Sequence, residues 1–537
     1  MTENNHDNDV NIPNTVNIPN TVNMPNGVND TDGMGSRVID SVRYYPLTQS
    51  QNLMFYNLKF SFRKQIVNVC SLVDLYDEID ERRLVQAVYL AMMRIPSNAV
   101  RIHLVDKRPM QYFATDVPHD IELVDMRGRS QHDVERYCDE IGATPFPNGG
   151  NDTQLYRVRI IRRDNDRVSL YYCVSHVVFD AYSLMGCLTY TFAIYQALCN
   201  GTALPDEPYS PLPAYKADFA QQQGERYKRQ VEWWRKHFAV EPRFTSVNGL
   251  KGKEFIKGER YGVTLRLWQT KGGMVDYRID RSLVSAMRDY CEREHLPMQI
   301  PYFIALRTFL GRMSGTDDVM FMNAVARRAT LAQKRAGGTM VNAVALRTVI
   351  PGSTSFADAC EILMREQMDA YRRANVATAD ILDVLRQNFG LKACRGYASV
   401  STTFQPYFDG SLPVRFRFRR RPNGANAMPL YVSIMPLDAS GDLWVNYEYI
   451  VGYVDPESIR RFHRFMLAFL DEVAKNPDRT IDQIATVAHG RASAMRLQTP
   501  DDLPYEIAMQ GAGSDVAVDA AGVDGVGAAD AAKVGAA

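Results

Sequence analysis

His176 and Asp180 are the residues whose types and spacing best suit catalysis, set four positions apart in Ser175-His176-Val177-Val178-Phe179-Asp180-Ala181. An imidazole with an ordinary pKa of about 6.5 is largely neutral near pH 7 and can take a proton from an amine or hydroxyl attacking an activated acyl group. Asp180 suits a fixing role, either as a helix N-cap accepting from the Ser183 amide or as the ion-pair partner of an arginine. Spacing alone leaves a purely structural pair open, with His176 a hydrogen-bonded core residue. Ser175 is a poor nucleophile candidate. It points to the opposite face from His176 if the strand continues, and no Gly-x-Ser-x-Gly elbow accompanies it.

The flanking elements determine whether such a pair can be held. Val168, Leu170, Tyr172 and Val174 alternate with Ser169, Tyr171 and Cys173, the period of a strand with two unlike faces. Leu184, Cys187, Leu188, Phe192, Tyr195 and Leu198 then recur at helical spacing until Asn200-Gly201 stops the helix. His176 is therefore expected just past a strand end, where rigid neighbours hold a side chain that still reaches a cleft.

Composition narrows the class. The 537 residues are 46% hydrophobic and 23% charged, enough for one large core or two. Lys plus Arg and Asp plus Glu both number 62, so no global charge draws the chain to nucleic acid or anionic lipid. The eight cysteines form no C-x-x-C pair and no cluster at metal-ligand spacing, which favours buried thiols over disulfides or zinc. No apolar run reaches the roughly 18 residues of a membrane span, and the N-terminus lacks a signal-peptide pattern. The expected setting is the cytoplasm, with no metal and no membrane span.

Residues 1–38, which hold three copies of a six-residue Asn/Pro unit, and residues 506–537, rich in Ala and Gly, are expected to be disordered tails. Between them the Pro-rich stretch Pro205, Pro208, Pro211 and Pro213 separates two halves that each mix helices with sheet. Strands are expected near 318–325, 340–349, 396–405, 412–419 and 430–449. In Leu412–Arg419, Val414, Phe416 and Phe418 alternate with Arg415, Arg417 and Arg419, placing apolar side chains on one face and guanidinium groups on the other. That basic face is either a solvated edge that deters strand pairing or a contact for the phosphates of CoA or of a carrier protein.

Several motifs carry a family resemblance. Ser175–Ala181 resembles the HHxxxDG motif of nonribosomal peptide synthetase condensation domains and of chloramphenicol acetyltransferase-like acyltransferases, with Ser175 in place of the first His and Ala181 in place of the Gly. Thr48–Phe55 is similar to the opening SxAQxRLW-type motif, with Leu53 where Arg is usual. The helix from Asp80 running into Arg94-Ile95-Pro96 resembles the RHxxLR segment, and Tyr215–Ala220 the YxDFA motif. Gly338–Arg347 resembles GxFVNTLPLR, Asn375 begins a counterpart of [HN]QxxPF, and Leu443–Tyr449 with the helix from Asp455-Pro456 looks like the family's last strand and helix.

The resemblance implies an α/β fold of two chloramphenicol acetyltransferase-like lobes in a V, residues 39–215 and 216–490, with the active site in the channel between them. It implies direct acyl transfer from a phosphopantetheine or CoA thioester to a small-molecule amine or alcohol, with His176 as general base and no permanently bound cofactor. Asp180 would support the site by pairing with an arginine, Arg278 or Arg328, and Ser175, Ala181 and Asn342 would support it structurally. The donor would arrive in trans, on an acyl or peptidyl carrier protein or as acyl-CoA, to a monomeric enzyme. The replacements at Ser175 and Ala181 admit a second reading, a weakly active or inactive binding module that recruits a carrier protein or partner enzyme.

Overall fold

In the computed structural model the described residues are 35–509, without 117, 250–262, 265–268, 392–394 and 406–411. The six-residue repeats, residues 510–537 and Cys394 lie outside them.

In chain order the described strands are β1 (Arg37–Ile39), β2 (Val42–Pro46), β3 (Asn68–Leu75), β4 (Val100–Val105), β5 (Arg108–Phe113), β6 (Ile121–Asp125), β7 (Tyr156–Arg162), β8 (Val168–Ser175), β9 (Val263–Thr264), β10 (Gly272–Ile279), β11 (Asp318–Val325), β12 (Asn342–Val349), β13 (Arg395–Gly396), β14 (Val400–Phe404), β15 (Phe416–Arg421), β16 (Leu430–Met435) and β17 (Leu443–Ile450). The first lobe has a sheet of order β15-β3-β8-β7-β6 and a smaller one of order β1-β2-β5-β4. The second lobe is built on a six-stranded sheet, β10-β17-β16-β14-β11-β12. Each lobe has its own apolar core.

β8 is covered on both faces: all eight of its residues are buried, so its alternation marks two different buried environments rather than a dry and a wet side. One neighbour is β3, paired antiparallel from Asn68↔Ser175 to Asp74↔Ser169. On the far side of the His176 turn the helix Ala181–Asn200 is capped by Asp180 and stopped at Gly201, whose φ of 63° suits glycine. Asp80 caps the helix Glu81–Arg94, which packs against Ala181–Asn200.

The chain crosses between lobes late. After β14 in the second sheet it adds β15 to the edge of the first sheet, antiparallel to β3 from Phe416↔Leu75 to Arg421↔Cys70, then returns as β16. Leu503 and Trp444 also enter the first core. Three elements lie across the boundaries expected from sequence. The tail to residue 38 overlaps β1, the lobe boundary at 215 falls inside the helix Leu212–Gln223, and the tail from 506 overlaps the short helix Tyr505–Met509.

Candidate active site at the lobe junction

His176 opens the turn between β8 and the helix Ala181–Asn200 and is held through its backbone from both lobes. Its amide donates to the Val67 carbonyl at 2.7 Å within the first lobe, and its carbonyl accepts from Thr339 Oγ1 of the second lobe at 2.8 Å. The Ser175 carbonyl closes the turn, accepting from the Val178 and Phe179 amides at 3.0 Å each. His176 is half-buried as a residue, and its Nδ1 is buried without a hydrogen bond. Burial lowers its pKa below the usual 6.5; nearby Asp180 works in the opposite direction, and Arg420 adds to the lowering. The imidazole is therefore neutral at pH 7.

Asp180 is 3% exposed, and both its oxygens are occupied. Oδ1 accepts from the Ser183 amide at 2.9 Å, from Ser183 Oγ at 2.8 Å and from Arg328 at 3.0 Å. Oδ2 accepts from Arg328 at 2.7 Å and from the Met340 and Val341 amides at 3.0 and 3.3 Å. Despite its burial, the Arg328 guanidinium and these donors hold the carboxyl below its usual range. Arg328 also donates to the Gly338 carbonyl at 2.7 Å and lies over the Tyr182 ring. The N-cap and ion-pair roles thus coincide in one residue that clamps the 338–341 segment of the second lobe onto the first. Arg278, the other sequence candidate, is engaged with Asp280 and Asp442.

A second clamp joins residues of three separate motifs. Gln49 donates to Asp218 at 2.9 Å and to the Asn375 carbonyl at 3.0 Å, while Arg327 pairs with Asp218 and donates to Asn375 Oδ1 at 3.1 Å.

The structure places the remaining sequence candidates as follows. Ser175 is 1% exposed at the end of β8, its Oγ facing the Val177 amide at 3.4 Å, and Ala181 is the first residue of the following helix. Asn342 begins β12 and ties it to the chain ahead of the helix Thr378–Phe389, donating to the Ala374 and Val376 carbonyls at 2.8 and 2.6 Å and accepting from the Thr378 amide.

The arginine row requires a correction. Arg417 is fully buried against Asp438 at 2.7 Å, and Arg419 is largely buried between Asp74 and Glu135 at 3.4 and 3.3 Å. Arg415 remains exposed but is bound to Asp77. The row holds β15 in place instead of presenting a face to phosphate, because each charge meets a carboxylate: Asp77, Asp74 and Glu135 of the first lobe, and Asp438 just past β16. Sequence reading took Arg420 only as an extension of the basic run and did not place it beside His176, nor did it find the bond from Thr339. Arg420 adjoined a recognisable basic run, but nothing in its spacing marked its nearness to the turn.

Two α/β lobes clamped across a histidine-bearing turn define the chloramphenicol acetyltransferase-like class of fold. Within that class the chain belongs to the condensation domain family, whose profile matches residues 42–495. It is 21% identical over 459 residues to chondramide synthase of Chondromyces crocatus and 21% identical over 460 residues to surfactin synthase subunit 1 of Bacillus subtilis (strain 168). These matches cover 82% and 83% of this chain, but the chain spans only 11% and 12% of those proteins. Among solved structures, it resembles the first condensation domain of the calcium-dependent antibiotic synthetase, with a TM-score of 0.69 at 19% identity, covering 82% of this chain and 98% of that one. The starter condensation domain of rhizomide synthetase, in complex with C8-CoA, gives a TM-score of 0.68 at 15% identity, covering 85% and 98%. Among the described residues no helix is long and apolar enough to cross a membrane, and no His/Cys/Asp/Glu group suits a metal ion.

Proposed function

We propose that this protein transfers an acyl group directly from a pantetheine thioester to an amine or alcohol, with His176 as general base. The observation that carries this reading is a neutral imidazole on a half-buried residue held through its backbone by both lobes, with one ring nitrogen buried and unpartnered. In the transfer, the acceptor nitrogen or oxygen attacks the thioester carbonyl as His176 takes its proton. The tetrahedral adduct then collapses, the C–S bond breaks, and the imidazolium returns the proton to the leaving sulfur, giving free thiol and a neutral His176. Asp180 takes no proton, since both its oxygens are engaged by Arg328 and backbone amides. It holds the turn.

The thioester is presented by a carrier protein or as acyl-CoA. The likeness to a starter condensation domain in complex with C8-CoA supports the CoA form. Incubating the purified chain with matched acyl-CoA and acyl-carrier thioesters and mixed amines and alcohols tests the function by mass spectrometry. The expected result is ester or amide with an equivalent of free thiol and no mass gained by the protein. Absence of product with every pair, or a stable acyl adduct on Ser175, overturns the reading.

A further inference from the structure

The second sheet turns a polar face toward the first lobe. Trp444 on β17 and Met435 on β16 lie opposite each other and reach into the first lobe's core. Alternation along these strands puts Asn446 and Glu448 on the face of Trp444, and Ser433 and Tyr431 on that of Met435, with Asp276 of β10 opposite Asn446. Across this face lies Arg420 of β15, paired with Glu448 at 2.6 Å and donating to Ser433 Oγ at 3.4 Å. Just beyond Arg420, Asn423 donates to the Asn68 carbonyl at 2.7 Å, and Asn68 pairs with Ser175 while its neighbour Val67 receives the His176 amide, so this end of β15 brings the polar face to the His176 turn.

Asp276 is the charge on this face left without a counter-ion. It is largely enclosed yet still reached by solvent, and it accepts from Asn446 Nδ2 at 2.9 Å. Arg420 is taken by Glu448, and Arg421 by Asp139 and Glu135. Among the described residues no cation lies within ion-pair distance of Asp276. Asn446 is 1% exposed, and its Oδ1 is buried with no partner. An enclosed carboxylate beside an unused carbonyl oxygen offers acceptors to a donor that no described residue supplies.

We infer that Asp276 and Asn446 anchor an ammonium group of the acceptor, whose nucleophilic end extends to His176. The inference rests on the acyl-transfer reading for what happens at the far end. The acceptor class is an amino alcohol or diamine, in which one cationic group is held while a separate hydroxyl or amine is acylated. Burial raises the Asp276 pKa to about 6, against the lowering effects of Asn446, Arg420 and Arg421 and with Glu448 adding to the rise. The site therefore carries its charge at neutral pH and loses it in mild acid.

Calorimetric titration with aminopentanol and with uncharged pentanediol tests the site without any acyl donor. Aminopentanol is expected to bind about ten- to a hundredfold more tightly at pH 7.5, the range of a charge-assisted hydrogen bond. That preference should fall as pH drops through about 6 and disappear in the isosteric Asp276→Asn variant. Equal binding of the two probes by the native protein, or a preference that persists in Asp276→Asn, overturns the inference. The pH arm uses only native protein, so it decides the matter even if the variant fails to fold. When an acyl thioester is then added, selective binding without acylation of the bound aminopentanol would keep the site and refute the transfer reading. Acylation of both probes with no selectivity would do the reverse.

Discussion

At the scale of the residue, His176 and Asp180 divide the work by environment. The imidazole is desolvated and neutral, whereas the carboxylate is desolvated and charged because Arg328 and backbone amides surround it. Replacing Asp180 by Ala leaves the Arg328 guanidinium buried without its counter-ion, which costs about 3–5 kcal/mol and should appear as a lower denaturation midpoint; an unchanged midpoint contradicts the clamp. Because the His176 pKa lies below 6.5, the acid limb of kcat/KM for acyl transfer should also fall below pH 6.5. A limb above that value would point to another base. His176 and Asp180 were legible in the sequence as residue types at the end of a strand, and the N-cap on Ser183 followed from spacing. The choice of Arg328 over Arg278 was not, since 148 residues separate the partners and only the fold brings them together.

At the scale of elements, the junction depends on a loop that only glycine can shape. Gly338 has a φ of 92°, and a Cβ there would lie 2.3 Å from Tyr215 Oη, while its carbonyl receives Arg328. Gly338→Ala should cost about 1–3 kcal/mol through backbone strain alone, more with the clash, and should lower transfer activity together with thermal stability. Wild-type behaviour in both assays would show that the loop yields freely. Local patterns were read well where the signal was local: β11 spans the expected 318–325, and the helix after Asp80 starts at its cap. β15 was misread because alternation of Phe and Arg ordinarily marks one dry and one wet face. Here both faces are closed, with Arg417 buried on Asp438 and Phe416 and Phe418 in the first core.

At the scale of the whole molecule, β15 and the Asp180 and Asp218 clamps couple two lobes that each have a core of their own. The acid response of the fold has an origin in the second lobe's core. His463 is fully buried between the Tyr447 hydroxyl at 2.9 Å and the Arg278 carbonyl at 3.0 Å, and burial lowers its pKa to about 4. An unfolded chain binds a proton at this residue below about pH 6.5 while the folded one does not, so its contribution is complete above 6.5 and is lost as pH falls toward 4. The loss amounts to about 3 kcal/mol at pH 4. An NMR titration of the His463 ring should show it neutral down to about pH 4; a midpoint near 6.5 contradicts the burial.

The most direct test of the transfer chemistry is kcat/KM for ester formation by the native protein and by His176→Ala, on one acyl thioester and one alcohol. An alcohol is a poor nucleophile until its proton is being removed, so loss of the base should lower the rate by about 10² or more, and by less with an amine that is partly free base at neutral pH. Undiminished ester formation by His176→Ala contradicts the assignment.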